Sequence, residues 1–138
     1  MKFRIVTPER VVHEEDDVES ITLPTRMGQI TVLKNHLPLV SVLAPGELIV
    51  RKGGAEISMA VSGGLVEVIK GNEIVILADT AERVEEIDVE RAEAARKKAH
   101  ELMQEKVADA EQYAYLAAKI EKELARLRIA KKYRRLPQ

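Results

Sequence analysis

The sequence predicts an α+β chain in two parts. Residues 1–86 form an N-terminal all-β sandwich of about ten strands, and residues 87–138 form a C-terminal antiparallel two-helix hairpin. Three observations predict this division. All seven glycines lie at or before Gly71, and four of the five prolines at or before Pro45. Between Asn72 and Leu136 there is no Gly and no Pro. Because these residues punctuate turns, the architecture changes near residue 80. Short alternating apolar runs fill the first part, and apolar residues spaced by three and four fill the second.

Each predicted strand has its own signal. Residues 3–7 alternate and stop at Pro8, and residues 18–23 alternate and stop at Pro24. Residues 29–33 follow Gly28, and residues 39–43 end at the turn Ala44-Pro45-Gly46. Residues 47–51 and 55–61 flank Gly53-Gly54, while residues 65–69 and 74–78 flank Lys70-Gly71-Asn72, both hairpin signals. Strands this short at this spacing indicate a sandwich or barrel. Glu14-Glu15-Asp16-Asp17 reads as a solvated turn.

In the second part, Ala92, Ala95, Ala99 and Leu102 mark the stripe of one amphipathic helix, and Tyr113, Ala117, Ile120, Leu124 and Leu127 that of another. Asp88 is placed to cap the first. Asp109 with Gln112 makes a capping-box pattern for the second. The first stripe is mostly Ala and buries little area, so the hairpin is expected to be weakly held. The joint near residues 106–109 lacks Gly and Pro, and residues 105–110 are all tolerable inside a helix. A plain capped turn and a bistable segment that is helical in another state both remain open.

Composition excludes several functions. With no Cys, disulfides, thiolate metal sites and cysteine nucleophiles are ruled out. Aromatic residues are 3% and Trp is absent, so platforms for stacking nucleic-acid bases are scarce. The N-terminal residues 1–5 lack the apolar stretch of a secretion signal, and no run approaches the roughly 18 apolar residues that span a bilayer. Direct membrane insertion is therefore not expected. His13, His36 and His100 have no metal-ligand spacing. Ser62-Gly63-Gly64 is not a nucleophile elbow, and no catalytic constellation or phosphate-binding loop is present. A small hydrolase thus lacks a nucleophile–base pair. A nucleic-acid binder would rest on the basic C-terminal end alone.

Charge is uneven. Residues 1–87 carry 9 Lys/Arg and 14 Asp/Glu, and residues 88–138 carry 13 and 9. From Arg126 onward there are six basic residues and no acid. Either an acidic partner or a solvated helix face accounts for this.

Three segments resemble one family. Residues 28–39, from Gly28-Gln29-Ile30-Thr31-Val32 to His36-Leu37-Pro38-Leu39, resemble the signature of the epsilon subunit of bacterial F-type ATP synthase. So do residues 61–68, Val61-Ser62-Gly63-Gly64-Leu65-Val66-Glu67-Val68. Ile87-Asp88-Val89-Glu90-Arg91-Ala92 is similar to the ATP-binding motif (Ile/Leu)-Asp-x-x-Arg-Ala of bacterial members. The resemblance implies a non-catalytic subunit of the proton-translocating complex, located at the cytoplasmic face of the plasma membrane. Its sandwich would bind the gamma subunit and touch the c-subunit ring. Its hairpin would either lie down on the sandwich or extend toward the alpha and beta subunits, where it blocks ATP hydrolysis.

The resemblance also implies a regulatory ATP site, with or without magnesium, at Glu82, Ile87, Asp88, Arg91, Ala92, Lys98, Lys122 and Arg126. Arg91 and Lys98 are seven apart on one helix face, and Lys122 and Arg126 four apart on the other helix. In antiparallel helices the two pairs can converge on one anion. Arg91 in a first turn opposes the helix dipole unless an anion pairs with it. Asp88 can accept from an adenine amino group, Ala92 leaves room for a flat base, and Ile87 can cover one face of it. The strongest ATP binders of the family carry Arg where this chain has Lys98 and Lys122, and Lys lacks the planar fork. An N-cap plus ordinary surface charges is the alternative for the same residues.

Overall fold

The computed structural model describes residues 1–70, 72–105 and 110–134. The joint at residues 106–109, with its capping box, lies outside the described residues. Contacts divide the chain into two compact units, Met1–Arg83 and Val84–Gln138.

The first unit has eight strands: β1 (Lys2–Val6), β2 (Val11–Glu15), β3 (Ser20–Thr25), β4 (Gly28–Leu33), β5 (Leu39–Val42), β6 (Gly46–Lys52), β7 (Ala55–Ile69) and β8 (Glu73–Arg83). The expectation of about ten is met differently, because β7 and β8 are long enough to serve twice. The first half of β7 pairs with β6 and the end of β8, while its second half pairs with β5 and the start of β8. Counted in halves, the strands form two five-stranded layers. One runs β2-β1-β8-β7-β5 and the other β8-β7-β6-β3-β4. β1 joins β8 in parallel, and the other pairs are antiparallel.

Alternation sets the core. Phe3, Ile5, Ile74, Ile76, Val66 and Val68 face inward from one layer, and Ile21, Leu23, Val32, Leu48, Val50 and Met59 from the other. Two expectations need correction. β2 occupies Val11–Glu15, so Glu14 and Glu15 belong to a strand paired with β1, not to a turn. β3 also does not stop at Pro24. Pro24 accepts a bond from the Ala44 N–H at 3.0 Å, so its missing N–H faces that side and no bond to β4 is lost.

The merging of two predicted strands into β7 depends on Gly63-Gly64. Both have positive φ, 66° and 109°. A Cβ on Gly64 would lie 1.9 Å from the Leu77 carbonyl oxygen. The strand continues through this point only because side chains are absent there.

The outward face of the first layer departs from the polar pattern expected of a solvated sheet. Register aligns Val42 with Leu65, Leu65 with Leu77, Leu77 with Val6, and Val6 with Val11. Leu65 and Leu77 are 46% and 53% exposed. One apolar row therefore crosses all five strands of the layer.

The second unit opens with a 3-10 turn at Val84–Glu86, followed by α1 (Val89–Gln104) and α2 (Ala110–Arg134). Ala92 and Ala99 are buried as expected, whereas Leu102 is largely exposed. On α2 one buried line is Leu116, Glu123, Leu127 and Ala130, flanked by partly buried Ile120, and Ala125 and Ile129 are buried beyond it on the side of Lys122 and Arg126. Tyr113 and Leu124, assigned to the stripe by spacing, are exposed. Apolar residues cover a broad arc of α2, and spacing by three and four selects two overlapping lines within it.

Gly64→Ala is expected to cost about 3 kcal/mol or more, because backbone strain adds to a steric clash. Gly53→Ala, in a turn with open space around it, should cost only about 1–2 kcal/mol. Urea unfolding of the two variants checks the order.

Candidate functional site

The hairpin carries most of the predicted site. Asp88 caps α1, its Oδ1 accepting from the Arg91 backbone N–H at 3.1 Å. It therefore performs the capping role expected of it, with one carboxylate oxygen committed. Asp88, Arg91 and Lys98 are exposed. Ala92 is wholly buried and Ile87 is 2% exposed, so neither presents a surface to a base in this arrangement. Lys122 and Arg126 are partly buried. Glu82 lies on β8 opposite Ala60, in the other unit.

The two helices leave a cleft on one side of their seam, about 660 Å³, lined by Glu93 and Arg96 of α1 and Leu124, Leu127, Arg128, Lys131 and Lys132 of α2. Residues early in α1 thus face residues late in α2, which makes the pair antiparallel. The same lining identifies the flanks. At about 100° per residue, Glu93 and Arg96 lie to one side of the Ala92–Ala99 line, and Arg91 and Lys98 lie to the other. Leu124, Arg128 and Lys131 likewise lie to one side of the Leu116–Leu127 line, with Lys122 and Arg126 on the other. All four predicted cations therefore belong to the seam opposite the cleft.

One of them is already engaged. Arg126 Nη1 donates to Glu123 Oε2 at 2.7 Å. Sequence reasoning missed Glu123, since an acid three residues before an Arg on a charged helix reads as a surface pair. It also missed the cleft.

In the first unit a polar constellation joins three strands. Arg83 donates to His13 Nδ1 at 2.7 Å, which leaves Nε2 to donate to Glu15 Oε1 at 3.2 Å. The hydrogen bond from Lys52 at 2.9 Å, with its charge, holds the Glu15 carboxyl below the ordinary carboxylate range. These are structural ties between β2, β6 and β8. His36 is exposed, with its ring Nδ1 2.7 Å from the Leu37 carbonyl oxygen. Among the described residues no group of three His, Asp or Glu is placed to hold a metal, and no helix is long and apolar enough to cross a membrane.

Residues 1–84 match the family described as ATP synthase, Delta/Epsilon chain, beta-sandwich domain. The chain belongs to the ATP synthase delta/epsilon family. The ATP synthase epsilon chain of Chloroflexus aggregans is 44% identical over 128 residues, covering 93% of this chain and 90% of that one. The ATP synthase epsilon chain of Dehalococcoides mccartyi is 40% identical over all 138 residues, 97% of its own length. Among solved structures, a chain of the Euglena gracilis mitochondrial ATP synthase, in an OSCP/F1/c-ring assembly, superposes with a TM-score of 0.77 at 27% identity, over 89% of this chain and 76% of that one. A chain of the Tetrahymena thermophila mitochondrial ATP synthase central stalk and c-ring shares the fold at a TM-score of 0.63 and 22% identity, over 96% and 94%. Epsilon chains of the delta/epsilon family are subunits of the complex and are not themselves catalytic.

Asp88→Ala removes the α1 cap and should destabilise the hairpin by about 1 kcal/mol. Thermal unfolding followed by the helical circular-dichroism signal checks this, and the strand signal should be unaffected.

Proposed function

We propose that this chain is a rotor component of the central stalk of a proton-translocating ATP synthase. Its sandwich couples the catalytic head to the c-ring, and its hairpin acts as a nucleotide-sensitive brake on ATP hydrolysis. The observation that carries the reading is the contrast between two chemistries. One unit presents an apolar row across a whole sheet face, suited to a lasting protein partner. The other is a lightly seamed, cationic helix pair, suited to reversible occupancy.

In this reading the row Val42–Leu65–Leu77–Val6–Val11 docks the gamma subunit. The hairpin binds ATP along the seam that carries Arg91, Lys98, Lys122 and Arg126, with Asp88 at the base and Glu82 as a further contact. Ile87 and Ala92 are reached when the helices part slightly. ATP that binds only the closed hairpin stabilises it by RT ln(1 + [L]/Kd). Abundant ATP keeps the hairpin down, and scarce ATP releases it toward the alpha and beta subunits. The localisation follows from the partners: the chain is held peripherally at the cytoplasmic face of the membrane by the complex.

Leu65→Asp together with Leu77→Asp should abolish capture of the gamma subunit, with the sandwich still folded. Unchanged capture sinks the docking assignment. Calorimetric titration of the full chain should detect ATP at millimolar concentration or below, and Arg91→Ala should weaken it about tenfold or more by removing a charged contact. In the whole complex, removing residues 88–138 should raise ATP hydrolysis when ATP is scarce, and no change would contradict the brake.

A further inference from the structure

Among the described residues, Glu123 is the only charged side chain that is buried, 3% exposed. It sits on the line of α2 that carries Leu116, Leu127 and Ala130. Its Oε2 accepts from Arg126 Nη1 at 2.7 Å, and the two side chains are 4% and 18% exposed. This is shorter and drier than a surface pair three residues apart on a helix, and such charge-assisted bonds are among the stronger ones. Nothing in packing the seam requires a carboxylate at this position, and an apolar residue would serve the line better. The acid therefore calls for a reason.

The reason lies in what Arg126 faces. Arg126 stands on the flank shared with Lys122, Arg91 and Lys98, and Glu123 lies between that flank and the centre of the seam. We infer that Glu123 is a built-in competitor for the phosphate-binding cation, a residue that sets nucleotide affinity by occupying Arg126. This rests on the reading of that flank as a nucleotide site. A triphosphate must take over the guanidinium edge that Glu123 holds, or share it. Taking it over strands a buried carboxylate without that partner, and sharing it sets carboxylate and phosphate charges side by side. Both weaken binding. The chain thus departs from a strong binder in two independent ways: Lys98 and Lys122 lack the bidentate fork, and Arg126 has the fork but is already engaged. The result is a hairpin that responds to high nucleotide concentrations rather than saturating at low ones.

The test uses the full chain, with ATP titrated calorimetrically and adenosine titrated by NMR line shifts. Adenosine has no phosphates and does not compete for Arg126. Glu123→Gln keeps the shape and removes the charge. It should tighten ATP about tenfold, the scale of one charge-assisted bond, and leave adenosine unchanged. In an Arg126→Gln background the same substitution should have no effect on ATP. The inference is overturned if Glu123→Gln leaves ATP affinity unchanged or weakens it, or if it shifts ATP and adenosine alike, which marks a general effect on the helices. Absence of ATP binding in both the parent chain and Glu123→Gln overturns the nucleotide reading itself. Binding in the parent that Glu123→Gln does not tighten overturns only the competitor.

Discussion

The fully buried residues of α1 are two alanines, Ala92 and Ala99, with Val89, Ala95, Arg96 and Met103 partly buried around them. Small side chains let the helix backbones come close but remove little apolar surface from water, and burial stabilises by only about 25 cal/mol per Å². Much of what can be asked of the second unit follows from that. Alanines in a seam leave less apolar burial to oppose separation of the helices than leucines would.

The sandwich is built on the opposite principle. Its core is continuous across both layers and includes side chains that are fully buried, among them Ile5, Ile21, Leu23, Leu48, Ile74 and Ile76. β7 and β8 pass from one layer into the other, so the layers cannot separate without breaking strands.

Much of this was legible in the residues. The fall-off of Gly and Pro after residue 72 marked where β gives way to α. Asp88 could be read as a cap because an N-cap acid with an apolar stripe behind it has a local cause. What escaped the sequence depends on register. β2 was hidden because Val11-Val12-His13-Glu14-Glu15 shows little apolar alternation and runs into Asp16-Asp17. β7 appeared as two strands because Gly63-Gly64 also signals a turn, and only the proximity of the Leu77 carbonyl explains why the strand needs glycine to continue there. The burial of Glu123 was illegible for a related reason: several lines of α2 fit the same spacing, and only the partner helix selects one. Spacings of seven and four put Arg91 with Lys98 and Lys122 with Arg126, each pair on one face of its helix, while the engagement of Arg126 by Glu123 was not readable.

The apolar row on the sandwich has a consequence of timing. Its members come from β1, β2, β5, β7 and β8, so it spans the earliest and the last strands of the domain. Val6 is brought to its neighbour only when Leu77 arrives beside it in the parallel pairing of β1 with β8. A nascent or half-folded chain has the residues but not the surface. The contact area therefore comes into being with the finished domain, and a binding partner that recognises it accepts only completed copies.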